Sequence, residues 1–228
     1  FPLNPAQVKC IVGELGTLEG KDIIDVGCGT GELTFALAQE GARVTGIDLN
    51  DALLNEARNY RNHERILYRK ANMLHTARLF GRSKFDGVIC LGNTLVHLMN
   101  PMQMRDFFSG VLTVLRPGGV FVLQLLNYDY IFKANITSLP LIETDALRFE
   151  RTYRFIPDTR EIRFHTKLTL KASDEAIDNE TDLLGISSND LISMMDIAGF
   201  KNIQKYADFE EKPFTVEHLY LVIISRQI

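Results

Sequence analysis

Two spacings of apolar residues divide this chain. Up to about residue 130, short apolar runs alternate with stretches of helical spacing. Between residues 146 and 170 the spacing falls to two. In the first part, the runs 23–26, 42–47, 85–91 and 120–126 are mostly apolar without strict alternation, as strands buried on both faces of a parallel sheet are. A shorter strand is expected over 66–69. Between them, Glu32 to Gln39 (ELTFALAQ), Asp51 to Tyr60 and Met102 to Leu115 read as helices. Asn50 or Asp51 is placed to cap the second, and Arg116-Pro117-Gly118-Gly119 to stop the third.

After strand five the pattern changes. Residues 131–145 read as a connection. ALRFERTYRFI (146–156) and REIRFHTKLTL (160–170) alternate apolar and polar around the turn Pro157-Asp158-Thr159, and a third strand fits 176–183. Most of the arginines here (148, 151, 154, 160, 163) are expected on a solvated strand face. Ser187-Ser188-Asn189-Asp190 then caps a helix to Ala198, closed by Gly199. Residues 201–208 and 216–225 finish as a hairpin. The expected architecture is α/β: a Rossmann-like, seven-stranded, mostly parallel sheet with a terminal antiparallel hairpin and a small antiparallel β insert after strand five. Residues 1–130 and 184–228 form the main body, and 131–183 a cover over the carboxyl edge of the sheet.

Composition narrows the partners. The chain has 228 residues, 46% hydrophobic and 24% charged, with a net charge of −4. A slightly acidic chain without a basic run is ill suited to a nucleic-acid backbone. No apolar run approaches the ~20 residues that span a bilayer, and no signal peptide is visible. Cys10, Cys28 and Cys90 are odd in number and unpatterned. They read as free thiols, consistent with a cytoplasmic location. No Cys/His cluster has metal-ligand spacing. A small-molecule substrate is expected, with neither nucleic acid nor membrane as partner, in a monomer or a homo-oligomer.

The chemistry concentrates in IIDVGCGTG (23–31). The glycines let the chain turn sharply at a strand end and bring bare backbone to a ligand. A helix follows, and the next strand ends in Asp48, placed to accept hydrogen bonds from ribose hydroxyls. The spacing here is G-x-G-x-G, whereas a dinucleotide fingerprint is G-x-G-x-x-G. Asp25 and Glu32 flank the loop. A diphosphate wants a helix N-terminus without nearby negative charge. S-adenosylmethionine (SAM) carries a sulfonium and an amino group and no phosphate, so it fits better. The expected cofactor contacts are Asp25, Gly27, Cys28, Gly29, Gly31, Asp48 and Leu49, with Asn72 and Met73 for the adenine, and Leu91 and Asn93 at the next strand end. An NAD(P)-dependent oxidoreductase and a SAM-fold module without catalysis stay as alternatives.

D-x-G-x-G-x-G with an acidic residue after the next strand resembles class I SAM-dependent methyltransferases. FDGVICLGNTLVHL (85–98), RPGGVFVLQLLNYDYI (116–131) and DFEEKPF (208–214) resemble, more closely, the glycine and glycine/sarcosine N-methyltransferases. The resemblance implies methylation of a small molecule, first of all on the nitrogen of a small amine or amino acid, with O-methylation of a larger metabolite as the alternative. It implies that Asn127 reaches a substrate carboxylate and that an insert arginine, nearest matched by Arg160, binds the same group. His97 and Tyr128 are the candidates for polar contact or general base. Many enzymes of this class carry a longer N-terminal segment over the cofactor, where this sequence offers the short helical stretch AQVKCIVGELG.

Overall fold

The computed structural model describes residues 3–227. Asn4 begins the first helix, its side chain accepting from Ala6 N, and α1 (Pro5–Leu15) leads into β1 (Asp22–Val26). The βα alternation then runs through α2 (Glu32–Gln39), β2 (Arg43–Asp48), α3 (Asp51–Tyr60), β3 (Ile66–Lys70), α4 (Thr76–Phe80) and β4 (Phe85–Cys90) to α5 (Pro101–Val114) and β5 (Leu115–Leu126). Short 3-10 turns, Met73–His75 and Thr94–His97, follow β3 and β4. Asn50 and Asn100 cap α3 and α5 by accepting from backbone N–H groups two residues on.

Beyond β5 come α6 (Tyr128–Lys133), the antiparallel strands β6 (Ile142–Glu143), β7 (Leu147–Phe155), β8 (Glu161–Leu170) and β9 (Glu175–Leu184), then α7 (Ser188–Ala198), β10 (Lys201–Tyr206) and β11 (Tyr220–Arg226). The main sheet has the order β10-β11-β5-β4-β1-β2-β3. Its first five strands in sequence pair in parallel, while β11 and β10 join antiparallel. The second sheet is β6-β7-β8-β9. Strand order reverses between β1 and β4, so a crevice opens outside their carboxyl ends, where such sheets bind ligands.

The continuous apolar runs follow from burial on both faces. Ile24, Val88, Phe121 and Leu123 pack toward α5 and α7; Ile23, Val44, Ile89 and Val122 pack toward α1 and α2. Phe107, Phe108, Phe121 and Phe200 form a fully buried aromatic cluster, with centroids 5.4 Å apart for Phe121 and Phe200. Truncating one of these phenylalanines to alanine costs about 3–5 kcal/mol. At the edge away from the crevice, Arg116 bonds Asp22 at 2.8 Å and Asp86 at 2.5 Å, and Arg43 grips Asp22 through two nitrogens.

Two expectations change. Arg116-Pro117-Gly118-Gly119 does not end the helix as a separate turn. It lies inside β5 as an irregularity, with Leu115 paired to Phe85 and Val120 paired to Gly87. Proline and glycine mark bulges as readily as helix stops. The connection after strand five opens with a helix, because the Asn127 side chain caps Tyr128–Lys133. It also contributes β6, a fourth strand too short to show a period.

Candidate functional site

The glycine loop is shaped by what lies against it. Gly27 N and Cys28 N both donate to Ile47 O, at 2.8 and 3.0 Å, so the chain crosses the end of β2. Gly27 has φ +74°, and a Cβ there would stand 2.5 Å from the Thr94 methyl. Gly31 has φ +85°, and its Cβ would collide with the Tyr68 hydroxyl. Gly29 also has positive φ, but nothing lies within 4 Å of where its Cβ would be. Two glycines are therefore demanded by packing, and the middle one faces open space. The loop is braced from outside: Thr30 donates to Glu32 at 2.6 Å, and Arg61 pairs with Glu32 at 2.8 Å and bonds Thr30 O. Neither Arg61, Tyr68 nor Thr94 was singled out by the sequence pattern. Only their contacts with the loop reveal them.

The acids beside the loop differ. Asp48 sits at the end of β2, with Oδ2 accepting from Gly29 N at 2.9 Å and Oδ1 from Asn50 N at 2.8 Å. It ties the loop to the second strand at the rim of the crevice. Leu49 beside it is 57% exposed, an apolar side chain at the same rim. Asp25 is 3% exposed and bonded to Thr34 Oγ1 at 2.6 Å. Burial raises its pKa to about 6; the Thr34 bond opposes this, while the charges of Asp48 and Glu32 add to it. Asp25 thus pins α2 to β1 beneath the loop, buried and held by Thr34. Glu32, neutralised by Arg61, adds less negative charge than its position suggests. Cys28 packs its thiol against Gly46 and Tyr68, and burial pushes that thiol well above its ordinary pKa, so it is a filler and not a nucleophile. Asn72 caps the turn after β3 by accepting from Leu74 N, and Met73 packs on the core beside it.

The ends of β4 and β5 are stitched together. Gly92 N donates to Gln124 Oε1 at 2.9 Å. Leu91 is buried, its carbonyl accepting from Thr94 Oγ1. Asn93, at φ +69°, accepts from Leu126 N at 3.1 Å and donates to the Tyr128 hydroxyl at 2.8 Å. Tyr128 is 1% exposed and lies in the same buried core as Tyr153 of β7. Burial raises its pKa well above 10, so it holds its proton and is no general base. Asn127 is 1% exposed, donates to Val216 O at 3.2 Å and His218 O at 2.8 Å, and caps α6. Its amide is engaged by the fold. Arg160 donates to Gly185 O at 2.5 Å, lies 4.0 Å from Asp129 and 4.9 Å above the Phe132 ring. These contacts link the insert to α6. His97 ends the turn after β4, open to solvent on one side and packed on the other. The partial desolvation of its ring lowers its pKa from 6.5, and the charge of Asp48 acts in the opposite direction.

Residues 148–152 of β7, the 136–141 segment, Tyr130 and residues 217–219 line an open groove of about 810 Å³. Among the described residues no group of three or more His, Cys, Asp or Glu could hold a metal ion, and no helix is long and apolar enough to cross a membrane.

With this geometry in hand, residues 23–119 match the methyltransferase domain family. The match begins at β1 and ends in β5, and so contains the glycine loop, Asp48 and Asn93. The ubiquinone biosynthesis O-methyltransferase of Coxiella burnetii is 30% identical over 128 residues, 56% of this chain and 53% of that protein. The glycine N-methyltransferase of Rattus norvegicus is 34% identical over 121 residues, 48% of this chain and 41% of that protein. The chain spans about half the length of the curated relatives it matches. Over nearly its whole length it shares its fold with a SAM-dependent methyltransferase of Clostridium acetobutylicum (TM-score 0.84, 17% identity, 98% of this chain and 91% of that one). The CcbJ methyltransferase of Streptomyces caelestis is as similar (TM-score 0.82, 21% identity, 99% and 97%). The insert thus belongs to a known arrangement of this fold, although the family match stops before it.

The cofactor of such domains is SAM, and the residues present fit it. Gly29 opens onto free space at the strand end, Asp48 offers a carboxylate beside it, and Leu49 offers an apolar face at the rim.

Proposed function

We propose that this chain transfers a methyl group from SAM to a small molecule, with nitrogen as the acceptor atom. The open cradle at Gly29, with Asp48 bound to its amide, carries this reading. Asp48 would hold the ribose, Asn72 and Met73 the adenine edge, and Leu49 its face. SAM supplies an already activated sulfonium methyl, so the protein has to orient an acceptor in line with it and leave that acceptor a free lone pair. Orientation of this kind is worth up to ~7–11 kcal/mol. His97 is the group suited to take a proton, because burial favours its neutral form near neutral pH. With Asn127 and Arg160 engaged in the fold, the resemblance to glycine N-methyltransferase supports the nitrogen acceptor without supporting an amino-acid carboxylate clamp. A hydroxyl acceptor is the second reading, favoured by the ubiquinone biosynthesis relative.

A radiolabelled methyl-transfer assay with SAM across a panel of amines, amino acids and phenols tests the proposal. Label in an amine product supports it. Label in phenols alone moves the acceptor to oxygen. SAM binding with no transfer across the panel would favour the non-catalytic alternative.

A further inference from the structure

We infer that Arg61 is a positioning residue for SAM: from the end of α3 it holds the glycine loop in its binding shape, and the affinity for SAM depends on that hold. The inference rests on the methyltransferase reading and adds to it a residue that lies outside the loop.

The loop is poorly suited to hold itself. Gly29 and Gly31, at φ +56° and +85°, stand on either side of Thr30. Glycine loses more freedom on ordering than any other residue. The Gly29 amide is tied to Asp48, and the Gly31 amide to Cys28 O at 2.9 Å. The Thr30 carbonyl lies between these two pivots, and Arg61 is what fixes it. Arg61 Nη1 donates to Thr30 O at 3.2 Å, while Nη2 pairs with Glu32 Oε1 at 2.8 Å. The other Glu32 oxygen accepts from Thr30 Oγ1 at 2.6 Å. One planar guanidinium therefore spans a carbonyl and a carboxylate two residues apart, which the single nitrogen of a lysine could not do.

Arg61 is itself anchored. Its amide donates to Ala57 O at 2.8 Å, at the end of α3, and its carbonyl accepts from the Tyr68 hydroxyl at 3.1 Å. Tyr68 is also the ring against which Gly31 packs, so brace and loop floor are one assembly.

The chain carries the same device where it cannot touch the crevice. Beyond the other end of α2, on the amino edge of the sheet, Arg65 donates to Gly41 O at 2.9 Å and pairs with Glu19 at 3.0 Å. It too joins a backbone carbonyl to a carboxylate, and its side chain is 35% exposed against 27% for Arg61. The two arginines differ in what they hold, which makes Arg65 the control.

Calorimetric titration of the full chain, Arg61→Ala and Arg65→Ala tests the inference. The probes are SAM and its demethylated product S-adenosylhomocysteine, at a temperature where all three chains are folded by circular dichroism. Arg61→Ala should weaken both ligands by at least about fivefold, the loss that freeing one backbone residue of the loop brings. The factor should be the same for both, because the brace acts through the backbone and not through charge at the sulfonium. Arg65→Ala should lower the melting temperature about as much and leave both affinities within about twofold of the parent. In NMR spectra of free Arg61→Ala, the amides of Gly29, Thr30 and Gly31 should move toward unstructured positions, and saturating SAM should return them to those of the parent complex. SAM affinity unchanged in Arg61→Ala, an equal loss of affinity in Arg65→Ala, or a loss confined to one of the two ligands would overturn the inference. Failure of the unmodified chain to bind SAM would overturn the methyltransferase reading and this inference with it.

Discussion

The rim of the glycine loop and the base of the inserted sheet both gather polar side chains at one edge of the main sheet, and they use them differently. At the loop, the working groups are backbone amides, glycines and one short carboxylate. Asp48 is fixed by two amides and still lies at the rim, and Gly29 opens onto space. At the insert base the groups are long or buried. Asn127 spends its amide on the carbonyls of Val216 and His218, Tyr128 its hydroxyl on Asn93, and Arg160 its guanidinium on Gly185 O. A short side chain at a strand end can act only where the strand puts it. A long one, or a buried amide, takes whatever partner the tertiary structure brings. Position in sequence therefore fixes the placement of the first kind of side chain and leaves that of the second to packing.

The sharpest way to break this contrast is Asn127→Ala. It would strip two carbonyls and a helix cap of partners in a buried site, so unfolding in urea should show a loss of about 2–5 kcal/mol. A raised substrate KM with unchanged stability would restore Asn127 to the acceptor site.

Asp25→Asn tests the loop side. The folded-state pKa of Asp25 is raised from 3.8 to about 6, so the folded chain holds this proton longer than the unfolded one. Its contribution is therefore most favourable below about pH 4 and is lost as pH rises toward 6. Relative to the parent, the variant should gain stability over that interval, by up to about 3 kcal/mol at pH 7, with no difference at pH 3.5. Thermal melts at both pH values measure it, and a gain independent of pH would contradict the assignment.

Asp48→Ala should weaken SAM binding by about 1–3 kcal/mol, leaving ribose hydroxyls unpaired. Unchanged affinity would remove Asp48 from the cofactor contacts. For His97, methyl transfer should rise with pH through a pKa below 6.5, and His97→Gln should flatten that rise. An identical profile in the variant would make His97 a spectator. The smallest effect belongs to Arg160→Ala: a stability loss of about 1 kcal/mol, from one carbonyl bond and a partly exposed ring contact, with KM unchanged.

The same division explains what the sequence made legible. ELTFALAQ and DALLNEARNY announced α2 and α3 with their ends, because periodicity and an Asn cap are local signals. Two-sided burial announced the parallel strands, and period two announced β7 and β8. The role of Gly29 could be read from spacing. The roles of Gly27 and Gly31 could not be told apart from it, since Thr94 and Tyr68 arrive from other strands. Asp25 looked like a ligand contact because its distance from the loop is short in sequence. Its burial under α2 is a property of packing. The groove beside β7 was invisible for the same reason, since residues 217–219 meet residues 130–152 only in the fold.

The central claim is that the open cradle at Gly29 and Asp48 is built for SAM. Calorimetric titration of the unmodified chain with SAM and, separately, with NAD tests it most directly. The account predicts saturable one-to-one binding of SAM, weakened at least about fivefold in Asp48→Ala, and no binding of NAD. Saturable NAD binding, or SAM binding indifferent to Asp48, would contradict it.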